Sequence, residues 1–190
     1  ISFCKGYKRL RAQIRRWPLT KPLQKEILNL ESRLVWEGDQ AQHYQYSFIK
    51  SFLATYPDTY YESQANRYLQ RIKFYRDTIA DASLGAYKDY LIDPKADLKY
   101  IGEVRELLCD SYLKQESSRD VEPFSSADVR AEFRRICTES KWSTREKRLK
   151  FDYDLRRVDP RDQSSMDRLI DKYRHFSDKS IVQDLVKLKN

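Results

Sequence analysis

Phe48-Ile49-Lys50-Ser51-Phe52-Leu53-Ala54-Thr55-Tyr56-Pro57-Asp58-Thr59-Tyr60-Tyr61-Glu62-Ser63-Gln64-Ala65-Asn66-Arg67-Tyr68-Leu69 is the stretch that decides the fold. Phe48 and Phe52 share one face of a short helix, and Tyr61, Ala65, Tyr68 and Leu69 share one face of a second. Between them, Pro57 lacks an amide donor and ends the first helix, while Asp58 is placed to accept the first free amides of the second. The predicted unit is a helical hairpin.

The same pattern recurs in both directions along the chain. About 39 residues later, Ala86, Tyr87, Tyr90 and Leu91 precede a break at Asp93-Pro94 and a second face of Tyr100, Val104, Leu107 and Leu108. About 38 residues earlier, Leu10 and Ile14 precede a Trp17-Pro18 break and then Leu23, Ile27 and Leu30. Looser copies follow, from Val129 and Phe133 to Trp142 and Leu149, and from Leu169 and Tyr173 to Ile181, Leu185 and Leu188. The expected fold is therefore all-α, a set of stacked antiparallel helical hairpins in about five degenerate units with a period near 39.

Predicted caps mark the boundaries: Thr20 before Lys21-Pro22, Asp58, Ser125 with Asp128, and Ser143 with Glu146 as a capping box. Residues 115–124, with Ser117-Ser118, Asp120 and Pro123, read as a hinge. The expected organisation is repeats one to three with a basic N-terminal helix over 1–114, the hinge, then looser repeats four and five over 125–190.

Composition agrees with helix. Four glycines in 190 residues and 35% charged residues suit helices better than a turn-rich β fold. With 40% hydrophobic and 13% aromatic residues the chain is too apolar to be disordered. No apolar run approaches the ~18 to 20 residues needed to span a bilayer.

The run Phe52-Leu53-Ala54-Thr55-Tyr56-Pro57-Asp58-Thr59-Tyr60-Tyr61-Glu62-Ser63-Gln64-Ala65 resembles the aromatic-Leu-x-x-Tyr-Pro-Asp-Ser signature of tetratricopeptide-like repeats in bacterial cell-envelope proteins, including outer-membrane assembly lipoproteins. Ala86 to Leu91 with Tyr100, Glu103 and Val104 is similar to a neighbouring copy, and the likeness spans about residues 44–108. The resemblance implies stacked helix pairs that expose a long surface for a protein or peptide partner, with no catalytic residue to carry over. Ten aromatics lie between Tyr44 and Tyr75, more than one buried stripe can hold. Phe48, Phe52, Tyr61 and Tyr68 fit the core; Tyr44, Tyr60 and Tyr75 are candidates for partner contact, or else amphipathic tyrosines at the core edge.

The net charge of +8 is uneven, because residues 1–36 carry +7 of it. Lys8, Arg11, Arg15 and Arg16 are the candidate anionic contacts, for nucleic acid or an anionic membrane surface, the alternative being a solvated helix face. A second mixed stretch, Arg145 to Lys150, reads as local i,i+3 and i,i+4 pairing on an exposed helix.

Catalytic patterns are missing. His43 and His175 have no metal-ligand spacing and read as surface or core-edge histidines; the four glycines are isolated, and neither a GxSxG elbow nor HExxH occurs. No metal, cofactor or catalytic residue is expected. Cys4, Cys109 and Cys137 form no CxxC pair and read as buried or free thiols, with a lipid-modified Cys4 or a Cys109–Cys137 disulfide as alternatives. The opening Ile1-Ser2-Phe3-Cys4 suggests a trimmed chain, from either the cell envelope or the cytoplasm. The expected function is a non-catalytic protein-interaction scaffold or adaptor, with nucleic-acid binding as the alternative.

Overall fold

A computed structural model describes residues 20–38, 40–176 and 178–189. The described residues form nine α-helices and no strand. They are α1 (Lys21–Gly38), α2 (Tyr46–Thr55), α3 (Glu62–Asp81), α4 (Leu84–Ile92), α5 (Leu98–Ser117), α6 (Ala127–Ile136), α7 (Ser140–Leu155), α8 (Gln163–Tyr173) and α9 (Lys179–Lys189), with a 3-10 turn at Gln40–Tyr44. The first half of predicted hairpin one lies outside the described residues. The chain divides into two compact units, Ile1–Phe74 and Tyr75–Asn190, so residues 75–114 and 125–190 share a unit.

The first unit is built on aromatic rings. Trp36, Ile49, Phe52, Tyr56, Ala65 and Ile72 form its buried core, with Phe48, Tyr61 and Tyr68 partly buried against it. Of the four aromatics expected in the core, Phe52 is buried within it and Phe48, Tyr61 and Tyr68 pack at its border. His43 is buried, stacked on Trp36 at 3.8 Å between ring centroids, and its Nε2–H donates to the Trp36 carbonyl at 2.9 Å. That bond satisfies the imidazole inside an apolar core, where an unpaired polar group would be costly. The expected surface or core-edge position is therefore corrected for His43, while His175 is exposed.

Pro57 ends α2 as predicted, but Asp58 is not the cap of α3. It sits at φ 56°, and its backbone N–H donates to the Glu62 carboxylate at 2.9 Å, so the first residue of α3 reaches back to hold the turn. Thr59 Oγ1 donates to the Tyr56 carbonyl at 2.9 Å and closes the same turn.

The second unit centres on α5, whose buried Val104, Leu108 and Tyr112 recur every fourth residue on one face. Helix α5 packs against α4, α6 and α7; α7 then packs against α8, and α8 against α9. Ser83 caps α4 by accepting the Ala86 N–H at 3.0 Å, and Asp97 caps α5 by accepting the Lys99 N–H at 3.0 Å. The α4–α5 turn is closed by Tyr90, whose hydroxyl accepts the Asp97 N–H at 3.1 Å. Phe151, Leu169, Tyr173, Ile181 and Leu185 form a further cluster under α7, α8 and α9.

Two buried carboxylates, Glu116 and Glu146, help to hold this unit. Glu116, 2% exposed, accepts the Phe124 N–H at 2.6 Å and Arg119 Nη1–H at 2.8 Å. This anchors the end of segment 115–124, where Phe124 is fully buried at φ 56° and its carbonyl accepts from Arg130. A phenylalanine at positive φ is strained, and the buried carboxylate compensates. Glu146, 3% exposed, receives a bidentate fork from Arg134 at 2.9 and 3.2 Å. It is not the partner in a capping box: α7 starts three residues before Ser143, at Ser140. Similarly, the cap of α6 is Ser126, not Ser125; its hydroxyl accepts the Val129 N–H at 3.4 Å.

Cys109 and Cys137 are joined by a disulfide with Cα atoms 5.9 Å apart. The reading of these two as separate thiols is thereby corrected. Cys109 lies mid-α5 and Cys137 just beyond α6, so the bond fastens the end of one helix to the middle of the other. Closing a loop of this size stabilises by about 3 to 4 kcal/mol in the chain-entropy account.

Candidate functional site

Next to that disulfide, α4, α5 and α6 enclose a groove of about 610 Å³. Its apolar surface comes from Leu91, Ile92, Leu108 and Ile136, and its charged groups are Lys88, Asp89, Arg105, Glu132 and Arg135. Leu108 is fully buried and forms the floor, whereas Ile92 is 81% exposed. Ile92 is thus a large aliphatic side chain left in water at the edge of a cavity of ligand-sized volume.

The charges in the groove are of two kinds. Glu132 Oε2 accepts from Lys88 Nζ at 2.8 Å and from the Tyr112 hydroxyl at 2.6 Å. The Lys88 hydrogen bond, followed by that of Tyr112, holds the Glu132 carboxyl below its usual range; Glu132 in turn raises Lys88. Burial, then the bond to Glu132, pushes the Tyr112 phenol up. These shifts agree on one protonation state, with a charged Lys88–Glu132 pair steadied by a neutral tyrosine. The pair cross-links α4, α5 and α6 and leaves little net charge.

Arg105 and Arg135 differ from it. Among the described residues Arg105 makes no hydrogen bond or ion pair. Arg135 has an electrostatic interaction with Glu132, which Lys88 and Tyr112 already hold. The other arginines of α6 are spent on the protein itself, Arg130 on the Phe124 carbonyl and Arg134 on Glu146. The groove thus combines an apolar bed with two guanidinium groups at its edge.

The tyrosines singled out from sequence are placed differently from one another. Tyr60 is 83% exposed, with its ring edge-on to Tyr61 at 5.2 Å. Tyr44 is half-buried and packs edge-on against Tyr68 at 5.9 Å. Tyr75 belongs to the second unit, stacked on Tyr100 at 4.0 Å with its hydroxyl donating to Glu103 at 2.6 Å. These two contacts make Tyr75 a brace between the last turns of α3 and the first turns of α5; burial, then the Glu103 bond, raises its pKa well above that of free tyrosine.

Lys8, Arg11, Arg15 and Arg16 lie outside the described residues, as does Cys4. The second basic stretch is mainly engaged between helices: Arg145 pairs with Asp110, Glu146 with Arg134 at 2.9 Å, and Arg148 with Asp184 at 2.8 Å. Only its Arg148–Asp152 pair, at 2.9 Å, is of the expected i,i+4 kind. Among the described residues no group of three or more His, Cys, Asp or Glu side chains converges on a metal-sized site, and no helix is long and apolar enough to cross a membrane.

Sequence reasoning passed over Ile92, Arg105 and Arg135. A signal existed for the first: Ile92 lies off the face defined by Tyr87 and Tyr90, just before the Asp93-Pro94 break. The two arginines carried none, since nothing local distinguishes them from neighbouring charged residues. No protein-family model, curated protein or solved structure matches this chain.

Proposed function

We propose that the chain is a non-catalytic protein-interaction scaffold made of tetratricopeptide-like helical hairpins, with the groove between α4, α5 and α6 as its peptide-binding surface. The observation that carries this reading is the ligand-sized groove with exposed Ile92 beside it. The alternation of helix lengths supports the hairpin repeat, with α2 of 10 residues before α3 of 20, α4 of 9 before α5 of 20, and α6 of 10 before α7 of 16. Within the second unit α5 packs on the short helix before it and on both helices after it, the neighbour pattern of a stacked array. The buried disulfide favours an oxidising compartment, where such a bond persists.

The test is to pan a displayed random-peptide library on the oxidised 190-residue chain and, in parallel, on Ile92→Asp. The scaffold reading expects peptides enriched on the wild type and lost from the variant, with unchanged circular dichroism and Tm. If repeated rounds enrich no sequence over a bare support, the scaffold reading fails. Equal retention by both proteins would move the binding surface away from this groove.

A further inference from the structure

Resting on the scaffold reading, we propose that the α4–α5–α6 groove selects an acidic segment of a partner protein, in which a branched aliphatic side chain lies next to one or more carboxylates. The aliphatic group would rest on Leu91, Ile92 and Ile136, and the carboxylates would meet Arg105 and Arg135.

Charge complementarity makes the argument. Three positive and two negative side chains line the groove, but Lys88 and Glu132 neutralise each other at 2.8 Å. What remains to an incoming ligand is Arg105, Arg135 and Asp89, an excess of one positive charge. Guanidinium groups suit this task because their planar donor fork matches a carboxylate, often with two parallel hydrogen bonds. Arg134 demonstrates that geometry on the same helix, forking onto Glu146 with bonds of 2.9 and 3.2 Å. Arg135, one residue further on, faces the groove with its donors uncommitted to an ion pair.

The lining also separates a peptide from a nucleic acid. Single-stranded nucleic acid is held by a continuous basic track and by aromatic rings on which bases stack. None of the ten lining residues is aromatic, four are aliphatic, and Asp89 and Glu132 would oppose a phosphate chain. An aliphatic bed with isolated arginines at its edge suits carboxylates spaced along a peptide. The disulfide and the Lys88–Glu132–Tyr112 cluster hold the three helices in place before the ligand arrives, which lowers the ordering cost of binding.

The experiment measures fluorescence anisotropy of three labelled probes with the oxidised 190-residue chain: a peptide of alternating leucine and glutamate, its leucine and lysine counterpart, and a single-stranded 12-mer oligonucleotide. The expected result is saturable binding of the Leu/Glu peptide at least ten times tighter than that of the Leu/Lys peptide. Arg105→Glu/Arg135→Glu should reverse that order, and Arg105→Gln/Arg135→Gln should abolish the discrimination. Both side chains are exposed, so circular dichroism should show either variant folded. If the acidic preference survives in the Gln variant, or the oligonucleotide displaces the Leu/Glu peptide, the inference is overturned. It is equally overturned if library-selected peptides that need Ile92 prove neutral or basic, and in that case the scaffold reading stands. Failure of every peptide, selected or designed, would remove the scaffold reading itself.

Discussion

The two compact units hold their helices by different physics. Residues 20–74 rely on a ring cluster in which Trp36 contacts His43, Phe48, Phe52, Tyr61 and Tyr68, so the stabilisation is apolar burial and dispersion spread over many contacts. Residues 75–190 add to their core a disulfide and two buried carboxylates, Glu116 and Glu146, each tied to an arginine on the surface. Spread contacts tolerate small adjustments. A covalent tie or a buried charge concentrates the stabilisation on a few atoms, whose loss is not made good by relaxation of the neighbours. The difference shows how helical segments that look alike in apolar spacing can differ in their response to reductant and acid.

The largest expected effect is in the aromatic unit. Phe52→Ala should cost about 3 to 5 kcal/mol, because it opens a cavity at the centre of the ring cluster. Hydrogen exchange should show faster opening of amides 46–74 and little change over 127–173. Equal acceleration across both stretches would mean that the chain unfolds as a single cooperative body, and the comparison would collapse.

Cys109→Ser/Cys137→Ser should cost about 3 to 4 kcal/mol, confined to the second unit. Adding reductant to the wild type should reproduce the loss of protection over 98–136 and leave the aromatic unit unchanged. Next in size, Glu116→Ala should cost about 3 kcal/mol by leaving the strained Phe124 amide without its acceptor and removing a buried ionic partner. Urea unfolding would check it, and a loss below about 0.5 kcal/mol would show that the buried carboxylate does not hold the 118–126 segment.

The smallest effect sharpens the ionic side of the comparison. Glu132 has its folded pKa lowered, first by Lys88, so its contribution is present above the unfolded carboxyl value near pH 4.3 and is lost as pH falls through the lower folded value. Because the pair is partly exposed, the contribution should be below about 1 kcal/mol. Thermal melts of Glu132→Gln should therefore fall less than the wild type's between about pH 5 and pH 2.5. A parallel acid decline in both proteins would exclude Glu132 as a source of the pH dependence.

Helix content and helix breaks were readable along the chain because both follow from local rules. Pro57 and Pro94 lie in the breaks after α2 and α4, where the lack of an amide donor prevents the helix from continuing. Caps were less readable, since Ser125 and Ser126 are equally good acceptors on composition and only the approach of the chain decides between them. Glu146 fits a capping box by spacing, but a bidentate arginine from another helix holds it instead. Tyr75 looked like a surface aromatic until Tyr100 and Glu103, 25 and 28 residues away, were placed beside it.

The sequence by itself determined that the described chain is helical, where Pro57 and Pro94 interrupt it, and that Phe48, Phe52, Tyr61 and Tyr68 turn inward. Those properties depend on residues three or four positions apart, which is the reach of helical geometry. Only the tertiary structure decided that Cys109 bonds to Cys137 across 28 residues, that Glu116 and Glu146 are buried, and that Lys88, Arg105 and Arg135 line one groove. Pairings across tens of residues depend on how helices pack, and local spacing carries no record of that.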